Sequence, residues 1–102
     1  MVLLEFSITP LGKGESVSPY VARSLDIISK SGLSYQLHAM GTIVEGELPA
    51  VLSVLQECLE ALAADSDRIS CSAKLDYRKG ASGRLKSKVE SVERHLGRKL
   101  ET

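Results

Sequence analysis

The sequence has no surplus of charge of either sign, because thirteen basic residues meet thirteen acidic ones for a formal net charge of zero. A general nucleic-acid or anionic-membrane binder needs an excess of Lys and Arg to hold phosphates, so neither kind of partner is expected. Cysteine is equally scarce, with two in 102 residues. Cys58 sits in a helical pattern and Cys71 on the apolar phase of a strand pattern, without CxxC spacing or a neighbouring histidine. Both read as small buried hydrophobes, and neither a disulfide nor a metal site is expected. No apolar run approaches the roughly 20 residues that cross a bilayer. The opening MVLLEFSITP lacks a basic region and turns polar at Glu5, unlike a secretory leader. Internal repeats, low-complexity tracts and the nucleophile-elbow, P-loop, dinucleotide and zinc motifs are also missing. The expectation is a soluble cytoplasmic protein of one domain over residues 1–102, with a modest core that oligomerisation would help.

What is present is periodicity. Val2, Leu4, Phe6 and Ile8 alternate with Leu3, Glu5, Ser7 and Thr9, which predicts a strand with one covered face, stopped by Pro10 and Gly12. GKGES (12–16) reads as a loop. Ser18 is placed to cap a helix and Pro19 to occupy its first position, where a missing N–H costs nothing. Val17, Tyr20, Val21, Leu25 and Ile28 then recur at helical spacing up to Gly32. Leu33, Tyr35, Leu37 and Ala39 alternate with Ser34, Gln36 and His38 as a second strand, and TIVEG (42–46) pairs with it as a hairpin. Pro49 opens a second helix with Val51, Leu52, Leu55, Cys58, Leu59 and Leu62 on its buried stripe. Ile69, Cys71, Ala73, Leu75 and Tyr77 alternate with polar residues in the clearest strand of the chain. After KGASG (79–83), Leu85, Val89, Val92 and Leu96 form the narrow seam of a last helix, ended by Gly97.

This β-α-β-β-α-β-α string is α+β. Its first six elements are the ferredoxin-like βαββαβ pattern, a four-stranded antiparallel sheet with two helices on one face, and an extra C-terminal helix follows. The other face would carry Glu5, Ser7, Thr9, Ser34, Gln36, His38, Ser70, Ser72, Lys74 and Asp76, and would either meet water or a second subunit. The seam of the last helix is too narrow to stand alone and calls for a neighbour.

Three stretches hold chemistry. In MGTIVEG (40–46), glycines flank Thr42 and Glu45, allowing close backbone approach or a positive φ. A carboxylate held there can accept from an amino group, and a threonine hydroxyl can donate to a ring nitrogen. The plainer alternative is a charged strand end between turn glycines. His38, on the polar phase near the hairpin, either reaches a ligand or is an ordinary surface residue; His95 reads as surface. RKGASGR (78–84) sets Arg78, Lys79 and Arg84 before a helix start, which is either an anion site or a flexible charged loop.

ITPLG (8–12), SVSPYVA (16–22), LHAMGTIVEG (37–46), LDYR (75–78) and KVESV (88–92) together resemble the small thiamine-binding protein family over nearly the whole chain. The resemblance implies a ferredoxin-like domain assembled through its sheets into a homo-oligomer, a dimer of dimers. It also implies non-catalytic binding of thiamine or its hydroxymethylpyrimidine portion in vitamin salvage, delivery or sensing, with no cofactor and no metal. Carried over by position, the ligand candidates are Glu45, Thr42, Gly41, Met40 and Ser18, together with Ser7 and His38. Relatives often place an acidic residue before the helix lysine; here Ser87 precedes Lys88, which bears on an ion pair of the last helix and not on the pocket. An aminopyrimidine edge offers an amine donor to Glu45 and ring-nitrogen acceptors to Thr42 or Ser18. Without a diphosphate cradle, free thiamine or the pyrimidine alcohol is expected. Two other readings stay open: a small enzyme using His38 and Glu45 as general base, and a purely structural self-assembling domain.

Overall fold

The computed structural model describes residues 1–14 and 17–102, so parts of the GKGES loop and of the SVSPYVA stretch lie outside the described residues. Along the chain run β1 (Val2–Pro10), α1 (Ser18–Lys30), β2 (Ser34–His38), β3 (Gly41–Gly46), α2 (Leu48–Ala63), β4 (Ile69–Tyr77) and α3 (Arg84–Leu96). The four strands form one antiparallel sheet in the order β2-β3-β1-β4, the ferredoxin-like arrangement, with β2 and β4 at the edges.

Register follows the alternation in the sequence. Leu4 lies between Val44 and Leu75, and Phe6 between Thr42 and Ala73. Opposed residues of an antiparallel pair share a face, so the even-numbered phase of β1 meets the helices. Val2, Leu4, Phe6 and Ile8 are buried there with Val44, Ile28 of α1, and Val51, Val54, Cys58 and Leu62 of α2. A side chain such as Leu62, fully enclosed, contributes roughly 2–3 kcal/mol by burial. The opposite face carries Leu3, Glu5, Ser7 and Thr9, and α3 lies against it beside β2 and β3, with Arg84 and Lys88 reaching Asp76 of β4.

Four expectations fail in instructive ways. The buried stripe of α2 runs through Val51, Val54, Cys58 and Leu62; Leu52 and Leu59 are exposed, because the helix is rotated toward α1. Cys71 is exposed, whereas Cys58 is buried, and both are free thiols. Tyr35 and Leu37 on β2, and Leu75 and Tyr77 on β4, are also exposed despite their apolar phase. The two helices sit mainly over the central strands, so the edges keep a strand's alternation without a cover. Ser18, read as a cap, is instead the first helical residue; Val17 is the N-cap and makes no side-chain capping bond.

Candidate functional site

The β2–β3 hairpin is held tight by its glycines through space and not through unusual dihedrals. A Cβ on Gly41 would stand 2.8 Å from the Phe6 carbonyl oxygen, and one on Gly46 would stand 3.0 Å from Leu33 Cδ2. Neither glycine has a positive φ. Their use is close approach of backbone to its neighbours.

Between them, β3 sends its two polar side chains in opposite directions. Thr42 pairs with Phe6 and Leu37 on the helix-covered face, whereas Glu45 pairs with Leu3 and Ser34 on the other. Both are buried, at 5% and 6% exposed. Strand periodicity makes this unavoidable, since residues three apart face opposite sides. The hairpin therefore serves two separate hollows.

The first hollow, of about 200 Å³, lies between the hairpin tip, β1 and the start of α1. Phe6, Val21, Leu25 and Leu37 are among its apolar walls, and Ser7, His38, Met40, Gly41 and Thr42 also line it. Ser24 of α1 reaches it as well and is 6% exposed. Neither the Ser24 nor the Thr42 hydroxyl forms a hydrogen bond with another described residue. Two hydroxyls on largely buried residues, facing a mostly apolar hollow, suit a ligand that brings its own donors and acceptors. Sequence reading missed Ser24, yet a signal existed: it stands on the inward stripe of α1, three residues after Val21 and four before Ile28.

Ser18 is exposed and absent from these walls, which Val17 and Val21 supply. Met40 projects from the tip at 84% exposed. Its backbone N–H donates to His38 Nδ1 at 3.2 Å, and His38 Nε2 lies 3.6 Å from Glu5. His38 and Glu45 do not meet. One pairs with Gly41 and the other with Ser34, four residues further along β2, a separation of about 13 Å. A shared general-base function is thereby excluded by geometry.

Glu45 opens instead on a cleft of about 810 Å³ between β2 and α3. Its Oε2 accepts a hydrogen bond from the Arg84 backbone N–H at 2.9 Å. Gly83, the N-cap of α3, has φ 67° and no side chain to satisfy the first turn, so a carboxylate from β3 does so. Arg84 is itself buried, donating to the Asp76 carbonyl at 2.6 Å and pairing with Asp76 Oδ2 at 3.0 Å. The basic loop before α3 thus spends its last arginine on β4. Lys88 lies 3.4 Å from the same carboxylate, so the lysine without an acidic predecessor finds its ion pair on β4. Hydrogen bonding from Lys88, aided by the Arg84 guanidinium, holds the Asp76 carboxyl below its ordinary range. Among the described residues no His, Cys, Asp and Glu group could hold a metal, and no helix is long and apolar enough to cross a membrane.

The model of the thiamine-binding protein family matches residues 4–93. The chain belongs to that family. A Mycobacterium bovis relative, called only UPF0045 protein Mb1933, is 43% identical over 93% of this chain and 94% of its own length. The Methanocaldococcus jannaschii protein MJ1052 is 37% identical, and its crystal structure superposes with TM-score 0.82 over 89% of this chain and 94% of that one. A Thermotoga maritima structure, named for a suspected role in thiamine biosynthesis or salvage, has TM-score 0.74 over 85% of this chain and 95% of its own; at 22% identity it speaks for the fold alone. Family membership and the αβ topology agree with the resemblance read from the hairpin motif.

Proposed function

We propose that the protein binds thiamine or its hydroxymethylpyrimidine portion without transforming it, and that the hollow under the hairpin tip receives the ring. The observation that carries this reading is the pair of hydroxyl residues, Ser24 and Thr42, that line the hollow beside Phe6 and Leu37 while being only 6% and 5% exposed. Room of about 200 Å³ is on the order of seven waters, enough for one substituted six-membered ring. Such a ring offers an amine and ring nitrogens to the hydroxyls and a flat apolar body to Phe6 and Leu37. Met40, Gly41, Ser7 and His38 would form the rim through which the rest of the vitamin emerges. Glu45, on the far side of the sheet, and Ser18, exposed and not among the walls, lie outside this site.

The same reading places the protein in the cytoplasm, in salvage, delivery or sensing, as a dimer of dimers. Support for self-association comes from the uncovered edges: Leu75 and Tyr77 on β4, and Val92 and Leu96 at the outer end of α3, are all exposed. Isothermal titration with thiamine, its diphosphate and hydroxymethylpyrimidine tests the binding. The expected result is saturable binding of thiamine or the pyrimidine, weakened at least about tenfold in Thr42→Val by loss of one buried hydrogen bond. Unchanged affinity in Thr42→Val together with Ser24→Ala would remove the hollow from the function.

A further inference from the structure

The cleft between β2 and α3 is unrelated to the hairpin hollow: it lies on the opposite face of the sheet and shares none of its lining residues. Its volume, about 810 Å³, falls within the range of sites that enclose whole small molecules. Leu33, Leu85 and Val89 supply an apolar floor, and Glu45, Glu90 and Glu93 supply three carboxylates. Lys86 and Lys99 also border it, leaving the lining one negative charge in excess.

Glu45 sets this cleft apart from a patch of surface acids. The residue is only 6% exposed, and among the described residues one of its oxygens has a donor, the Arg84 N–H. The other oxygen is not sealed in protein, and the side chain lines the cleft. An enclosed carboxylate with a single backbone donor is under-satisfied, since its two oxygens together accept several hydrogen bonds. Its second partner must come from the cleft, and the donors best matched to a carboxylate are charged N–H groups. Glu90 is exposed, and Glu93, which takes the Leu100 N–H at 2.6 Å, is only half-buried, so Glu45 is the enclosed acceptor at the floor.

We propose that this cleft is a second ligand site, for an organic cation: a primary ammonium or amidinium carried on an apolar body. The cationic head binds the free oxygen of Glu45, and the body lies along Leu33, Leu85 and Val89. Nothing in this assignment depends on the hairpin hollow, so either site can fail alone.

The test is an amide chemical-shift titration of the whole chain with benzamidine, using benzoate and neutral benzamide as controls. Benzamidine is expected to move the resonances of Ser34, Gln36, Glu45 and Val89 saturably, while benzoate moves none of them. In Glu45→Gln, which keeps an acceptor for Arg84 and so keeps α3 in place, benzamidine affinity is expected to fall at least about tenfold. Val89→Trp, which fills the floor and leaves the carboxylate untouched, is expected to block the site as well. The proposal is overturned if benzamidine leaves those amides unmoved, if Glu45→Gln binds it equally, if benzoate or benzamide binds as well as the cation, or if the shifts fall on Ser24 and Thr42 instead.

Discussion

Thr42 and Glu45, three residues apart on β3, project from opposite faces of the sheet, one under the helices and the other against the start of α3. Their nearness in sequence invites a single pocket, and the pleat of the strand forbids it. The familiar glycine-flanked motif therefore does two jobs. Thr42 opens into a hollow, and Glu45 ties β3 to α3.

That second role gives a stability expectation. Glu45→Ala removes the side chain that satisfies the first turn of α3, and should cost about 1–2 kcal/mol, the usual range for a lost cap. Hydrogen exchange of the Arg84 to Ser87 amides should quicken, while Glu45→Gln should stay close to the parent. Equal protection in the alanine variant would mean that Arg84 and Asp76 hold the helix unaided.

Gly41 is expected to resist even the smallest substitution. Gly41→Ala drives a methyl group to 2.8 Å from the Phe6 carbonyl, where backbone and not a flexible side chain must yield. A loss of about 1–3 kcal/mol in urea unfolding is expected, as for other overpacked sites. Gly80→Ala, whose Cβ meets nothing within 4 Å but whose φ of 76° is strained for alanine, separates crowding from backbone strain. Should the two variants unfold alike, crowding at the hairpin is not the reason for glycine there.

The two thiols should be chemically distinct. Burial pushes Cys58 up to about 11 and seals it in the core, whereas Cys71 is exposed on β4 with a milder rise from partial burial. At pH 8 a thiol reagent should modify Cys71 rapidly and Cys58 only as the protein unfolds. Mass spectrometry of partly labelled protein reads the order directly. Early labelling of Cys58 would place that residue outside the core.

Acid should loosen α3 before it unfolds the sheet. The Asp76 carboxyl is depressed by Lys88 and Arg84, so its contribution is present above the ordinary carboxylate value and is lost as pH falls through the lower folded value. The window is thus below about pH 4. Its size is small, because Asp76 is half in water and the charges are screened. Exchange of α3 amides across pH 2 to 6 should show this step, and Asp76→Asn should abolish it. An identical acid response in the variant would assign the step to another group.

Most of the architecture was legible because it rests on local periodicity. Every strand and helix was foreseen, and Gly32 and Gly97 mark helix ends as read. What the sequence hid was relative placement. Leu37, Leu75 and Tyr77 alternate like core residues, but edge position leaves them uncovered, and no single strand reveals its neighbours. Leu52 and Val54 exchanged roles because the rotation of α2 is set by α1. Of the candidate site, Thr42, Gly41, Met40, Ser7 and His38 converge on one hollow, helped by being clustered at the hairpin tip and on β1. Glu45 and Ser18 do not join them. Ser24 does, and a serine on an apolar helical stripe was the overlooked clue. Arg84, read as part of a charged loop, is a buried strut whose partner on β4 is eight residues upstream.

The central claim is that the ring-binding hollow lies under the hairpin tip, and mapping amide shifts during titration with hydroxymethylpyrimidine tests it most directly. Saturable movement of Ser24, Leu37 and Thr42, lost in Thr42→Val, is the expected result. Shifts confined to Ser34, Glu45 and Val89, or none at saturating pyrimidine and thiamine, would contradict it.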